Sequence, residues 1–144
     1  MKYLIQFLLL LSFPMLGQIQ VSNVGSVEKA VKELAGEGVI ISNVTYKFDG
    51  GGQPIGTFND DFGILGVDNG LLMTNGSATD ASGPNDSDSK STSNGGGFAS
   101  LPELKISVFD LVVVEFDIQV STNVLEFVYV FGSEEYPEFA DSYH

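Results

Sequence analysis

The first periodic segment of the chain lies at residues 27–34. Val27, Ala30, Val31 and Leu34 fall at i, i+3, i+4 and i+7, the spacing of one buried helical face, and Ser26 stands where it can cap the N-terminus. Gly36 and Gly38 end this helix. Residues 39–48 are then β-branched and aromatic and close on Asp49-Gly50-Gly51-Gly52, which predicts a strand and a turn that tolerates positive φ. Asp68-Asn69-Gly70 leads into a second short strand, Leu71-Leu72-Met73-Thr74. The strongest alternation comes after Lys105. Val112, Val114, Phe116, Ile118 and Val120 alternate with Val113, Glu115, Asp117 and Gln119, and Leu125, Phe127, Tyr129 and Phe131 alternate with Glu126, Val128 and Val130. With Ser121-Thr122-Asn123 between the two runs, the pattern predicts an antiparallel hairpin over residues 112–131 at the centre of the core. Few helices and several short strands separated by turns predict a mainly β chain. The expected fold is an antiparallel β-sandwich of jelly-roll or lectin-like kind with one short N-terminal helix.

Two segments stand outside this pattern. Residues 76–100 are rich in Ser, Gly, Asn, Asp and Thr, with Phe98 the only large apolar side chain, and read either as a mobile surface segment or as a binding loop. At the other end, Lys2 precedes an apolar run over residues 4–11 broken only by Gln6, followed by Ser12-Phe13-Pro14-Met15-Leu16-Gly17-Gln18. That is the pattern of a secretory signal peptide over residues 1–17, and it is too short for a membrane span, which needs about 20 apolar residues. Residues 18–144 then form one domain, exported to the cell surface or secreted, with no transmembrane segment and no C-terminal anchor visible.

Composition narrows the chemistry. Six cations, all lysine, face 19 acids, for a net charge of −13. Phosphate neutralisation needs a basic face, so nucleic acid is excluded as a partner and an anionic membrane surface is disfavoured. Cysteine is absent, which removes disulfides, thiolate zinc sites and a cysteine nucleophile, and suits a bacterial envelope or extracellular setting.

The run Tyr129-Val130-Phe131-Gly132-Ser133-Glu134-Glu135-Tyr136-Pro137-Glu138-Phe139 resembles the signature of the choice-of-anchor L domain, a module of exported bacterial proteins best known from the Bacteroidetes. Other pieces agree in order. Residues 39–46 look like the family's opening strand, Ile55-Gly56-Thr57-Phe58 its following turn, and residues 68–76 its next strand, while Ser82-Gly83-Pro84-Asn85 and Val114-Glu115-Phe116-Asp117 fall where the family has similar residues. The resemblance implies a β-rich, sandwich-like module outside the cell with no well-established activity. Two departures stand out. Gly97-Phe98-Ala99-Ser100 lacks the acidic residue that members often carry after the glycine run, and the family continues into further strands past the Glu-Glu-Tyr motif, so the chain is expected to be the N-terminal part of a longer domain.

For catalysis the residues offer little. His144, the last residue, is the only histidine, so a Ser-His-Asp arrangement has no positioned base, and Gly95-Gly96-Gly97 is followed by Phe98 and not by the Lys-Ser or Lys-Thr of a phosphate loop. Glu134 and Glu135, as strand neighbours, would point to opposite faces and not share one substrate. Calcium is the cofactor the acids suggest. Glu134, Glu135 and Asp141 are the candidate ligands, joined by Asp60, Asp61 and Asp68 if that loop folds toward them, because a hard cation takes six to eight oxygens from carboxylates and carbonyls. A solvated acidic surface is the competing reading. For the motif Gly132, Ser133, Glu134, Glu135, Tyr136 and Pro137 the competing reading is structural: a bend at Gly132, packing by Tyr136, and a glutamate bonded to loop amides. The expected partner is an extracellular protein or glycan surface. A non-catalytic adhesive module is the first functional reading, a carbohydrate-binding module assisted by calcium the second, and part of a secreted hydrolase the third.

Overall fold

The computed structural model describes residues 18–48, 50–84, 87, 92, 99–101 and 106–133. In chain order the elements are β1 (Gln20–Asn23), α1 (Val27–Lys32), β2 (Val39–Phe48), β3 (Ile55–Asn59), β4 (Asn69–Met73), a 3-10 turn (Ala78–Ser82), β5 (Ala99–Leu101), β6 (Ile106–Val108) and β7 (Val112–Val120). Every strand pairing among the described residues is antiparallel. One sheet has the order β1-β3-β4, a second pairs β2 with β7, and β5 and β6 form a small ribbon. The chain is therefore mainly β with one short helix, and its two larger sheets are arranged as in a sandwich. No helix among the described residues is long and apolar enough to cross a membrane.

The helix forms where the apolar spacing predicts it. Ser26 is extended, and its Oγ accepts from the Lys29 amide at 3.3 Å, satisfying one of the amides a helix N-terminus leaves unpaired. Glu28 and Lys32 pair along the exposed face at 2.6 Å. Val27, Ala30 and Val31 are buried, and Val31 is fully enclosed.

The core joins all three layers. Val27 and Val31 of α1, Ile41 of β2 and Ile55 of β3 form its centre, with Val39, Val44, Phe48, Leu71, Val112, Val114 and Phe116 packed around them. Fully burying an aliphatic side chain is worth about 1.5–3 kcal/mol, so Val31 and Ile55 are the principal ties between helix and sheets.

A β-bulge makes β2 fit this core. Its pairing with β7 runs Val39↔Val120 to Ser42↔Asp117, then resumes at Thr45↔Glu115, with the irregularity between Ser42 and Thr45. Side chains alternate strictly along a strand, so one extra residue reverses the face presented. Upstream, Val39 and Ile41 face the core; downstream, Val44 and Phe48 do. Were the same residues to alternate strictly with no bulge, Asn43, Thr45 and Lys47 would take that side. Asn43 adopts φ 51°, a left-handed conformation that Asn tolerates, and its Nδ2 donates to Asp117 Oδ2 at 2.6 Å. Beyond Val39, Gly38 at φ 77° accepts at its carbonyl from the Ser121 amide at 2.9 Å, continuing the ladder past its last residue pair.

The structure corrects the sequence reading in three places. β7 does not form a hairpin with the following segment; its partner is β2, more than sixty residues earlier. Alternation identifies strands but says nothing about which strands pair, and β2 supplies an apolar face that α1 already covers. The second half of the expected hairpin, Val124 through Phe131, joins no strand among the described residues and is exposed, with Phe127 65% accessible. Ile55-Gly56-Thr57-Phe58 is a strand, not a turn, and the short β1 pairs with it. Finally, the polar stretch after residue 76 opens with a packed 3-10 turn. Ala78 is fully buried, its amide donates to the Gln53 carbonyl at 2.9 Å, and Ser82 Oγ accepts from the Val21 amide at 3.3 Å.

Candidate functional site

A loop held together by several hydrogen bonds joins β3 to β4. The two strands pair from Ile55↔Met73 to Asn59↔Asn69, and the Asp60 amide extends the ladder by donating to the Asp68 carbonyl at 2.7 Å. The loop then wraps around the Asp60 carboxylate. Oδ1 accepts from the Ile64 amide at 2.9 Å and Oδ2 from the Leu65 amide at 2.6 Å, while the Gly63 amide donates to the Asp60 carbonyl at 3.1 Å. Gly63 and Gly66 both take positive φ, which lets successive amides converge on one acceptor.

Asp60 is the one buried charged residue among those described, 3% exposed. Burial alone would push its pKa up, but hydrogen bonds from the amides of Leu65, Ile64, Phe62 and Gly63 outweigh that effect and hold the carboxyl below its ordinary range. The side chain is thus an ionised internal cap for the loop.

This anchoring turns other side chains outward. Phe62 and Ile64, flanking Gly63, are each about half exposed. Asp61 also points to solvent, and its Oδ2 accepts from Gln20 Nε2 at 3.0 Å, tying the loop to β1. A rigid loop with two apolar side chains at its tip and a carboxylate beside them can grip an apolar surface and accept hydrogen bonds at its rim. Sequence reasoning missed Phe62 and Ile64. Their signal was present in Asp60-Asp61-Phe62-Gly63-Ile64-Leu65-Gly66, where large apolar residues sit between glycines in a loop that cannot bury them all.

The acids singled out as calcium ligands are distributed as follows. Asp60 points inward onto loop amides, Asp61 points outward onto Gln20, and Asp68 is exposed and contributes its backbone carbonyl to the ladder. The three carboxylates do not converge. Among the described residues no group of three or more His, Cys, Asp or Glu side chains lies close enough to hold a metal ion. Gly132 and Ser133 are exposed. Glu134, Glu135, Tyr136, Pro137 and Asp141, and the expected signal segment 1–17, lie outside the described residues.

Compared with known proteins, residues 20–144 match the choice-of-anchor L domain family. No curated protein and no solved structure matches the chain.

Proposed function

Because the chain belongs to the choice-of-anchor L domain family, a family of cell-surface or secreted modules not known for catalysis, we propose that it is an exported, non-catalytic adhesive module. Its grip on an extracellular protein or glycan surface comes from the β3–β4 loop. The observation that carries this reading is the combination at one loop of a buried, amide-bound Asp60 with exposed Phe62 and Ile64. An adhesive contact benefits from apolar groups held rigid before binding, since less conformational freedom is then lost on association. Export through cleavage near Gly17 belongs to the same proposal, supported by the Lys2 and apolar pattern of residues 1–17.

The test is binding of the purified protein to panels of immobilised extracellular proteins and glycans, alongside a Phe62→Ser/Ile64→Ser variant. Binding that falls in the variant while its melting temperature stays unchanged supports the loop. Binding that survives refutes it. A calcium-assisted hold on glycans is the second reading, favoured by the absence of any lysine or arginine after Lys105 in a segment containing Glu134, Glu135 and Asp141. It predicts glycan binding that chelator abolishes and that Glu134→Gln with Glu135→Gln removes.

A further inference from the structure

Two Asn-Gly pairs lie among the described residues, Asn69-Gly70 and Asn75-Gly76, and both asparagines are exposed. Such a pair is chemically labile. The glycine's backbone nitrogen attacks the asparagine Cγ with no Cβ in its way, wherever the backbone is free to bring the two atoms together. Exposure does not distinguish the two pairs, but backbone pairing does. Asn69 and Gly70 belong to β4, opposite Asn59 and Phe58 of β3. The Asp60 amide bonds the Asp68 carbonyl at one end of this ladder and the Thr74 amide bonds the Pro54 carbonyl at the other, so by the alternation of antiparallel bonds the Gly70 amide is committed to Phe58. The Phe58 ring also lies against Gly70, 3.0 Å from where a Cβ would stand. Ring closure at Asn69 therefore requires β4 to open.

Asn75 and Gly76 sit just past that ladder. The Thr74 amide bonds the Pro54 carbonyl, and the Ala78 amide then bonds the adjacent Gln53 carbonyl, both at 2.9 Å. Residues 75–77 are thus looped out between two anchors held on neighbouring residues, and the chain bends at Asn75 and Gly76. The Gly76 amide donates to Thr74 Oγ1 at 3.2 Å, a side-chain hydroxyl in the same bend and not a carbonyl of a partner strand. Packing also fixes the glycine, since a Cβ at Gly76 would come 2.7 Å from the Thr92 carbonyl oxygen. We propose that Asn75 is a site of spontaneous modification, converting to aspartate or isoaspartate in the folded chain while Asn69 is spared. The Gly76 nitrogen loses its proton and bonds to Asn75 Cγ, the Cγ–Nδ2 bond breaks, and ammonia leaves. Water then opens the resulting succinimide at either carbonyl, so that in sum one amide and one water become one carboxylate and one ammonium ion. The isoaspartate form adds one carbon to the main chain between the anchors at Thr74 and Ala78. That extra length displaces Gly76 from Thr92 and loosens the 3-10 turn, whose Ser82 Oγ holds the Val21 amide of β1.

The experiment ages the purified full chain at mildly alkaline pH, folded or unfolded in urea, and follows each Asn-Gly peptide by mass spectrometry after digestion. In the folded chain the Asn75 peptide should gain the mass difference between amide and acid about tenfold faster or more than the Asn69 peptide, because β4 must open before Asn69 reacts. In urea the two should convert at similar rates. Equal rates in the folded chain, or an Asn75 that reacts only in urea, overturn the proposal. Hydrogen exchange reads the consequence for the turn: the Ala78 and Val21 amides should exchange faster in the aged chain than in the fresh one. An Asn75→Gln variant, whose longer side chain closes the ring poorly, should show no such change on ageing. If the variant loosens as much as the wild type, conversion at Asn75 does not act on the turn and that part of the proposal fails.

Discussion

Two single-residue deletions test the most specific link between sequence and packing in this fold. Deleting Asn43 removes the extra residue of the β2 bulge; Val39, Ile41, Val44 and Phe48 then fall on one face of a strictly alternating strand, with Val44 opposite Phe116 and the register kept on both sides. The chain loses only the exposed bond from Asn43 to Asp117, for about 1 kcal/mol or less. Deleting Thr45 instead shortens β2 by one of its paired residues. If Ser42↔Asp117 and Tyr46↔Val114 both hold, the bulge is used up, so Val44 turns to solvent and Asn43 turns toward the core. Val44 is partly buried, so its loss costs about half of the 1.5–3 kcal/mol for a fully buried side chain, roughly 1 kcal/mol. Turning the Asn43 amide inward without a partner adds about 1–3 kcal/mol. The expected destabilisation for the Thr45 deletion is therefore about 2–4 kcal/mol, a large share of the 5–15 kcal/mol typical of a domain. Urea unfolding followed by far-ultraviolet circular dichroism measures both deletions. Equal costs for the two would show that the bulge does not set which face β2 presents to the core.

Other substitutions probe separate parts of the structure. Ile55→Ala should cost about 2–5 kcal/mol in the same assay, because Ile55 is enclosed between helix and sheets, whereas Phe127→Ala should cost less than about 1 kcal/mol in dilute protein. Gly56→Ala places a Cβ 2.9 Å from Ala78 Cβ and 2.9 Å from the Ser22 carbonyl oxygen, so β1 or the 3-10 turn must shift, for about 1–3 kcal/mol; a neutral result would mean that this contact is loose. Asp60→Asn should lower the melting temperature at neutral pH. Its carboxyl titrates below the ordinary 3.8, so the stability it supplies is complete above that value and is lost as pH falls through the lower folded-state value. The gap between wild type and variant should therefore close on acidification below about pH 3.8, and a gap constant with pH would rule out the charged cap.

What could be read from the sequence depended on whether the determining contacts were local. The helix was legible because Ser26 and the spacing of Val27, Ala30 and Val31 fix it within two turns, and β2 because ten residues of suitable type precede a glycine turn. β3 was not, since Ile55-Gly56-Thr57-Phe58 has only two large apolar residues and a glycine. That glycine is required by a contact with Ala78, twenty-two residues away, and no local pattern records such a contact.

The two halves of the expected hairpin show the same limit from the other side. By alternation alone, Phe116 and Phe127 are equivalent, and the second run is the more apolar. Burial separates them. Val112, Val114 and Phe116 lie opposite a strand whose bulge keeps Val44 and Phe48 on the same face, and α1 closes over that face. The run through Phe127 has no such opposing layer among the described residues. The site divides in the same way. Acidic residues at Asp60, Asp61 and Asp68 are plain in the sequence, but the orientation of each depends on where the loop amides fall. Gly63 and Gly66 direct those amides onto Asp60, and a carboxylate that takes up amides in this way places its neighbours Phe62 and Ile64 outside. The chemistry of this loop thus follows from its backbone: the buried charge organises the loop, and the apolar residues left at its tip are the ones able to meet a partner.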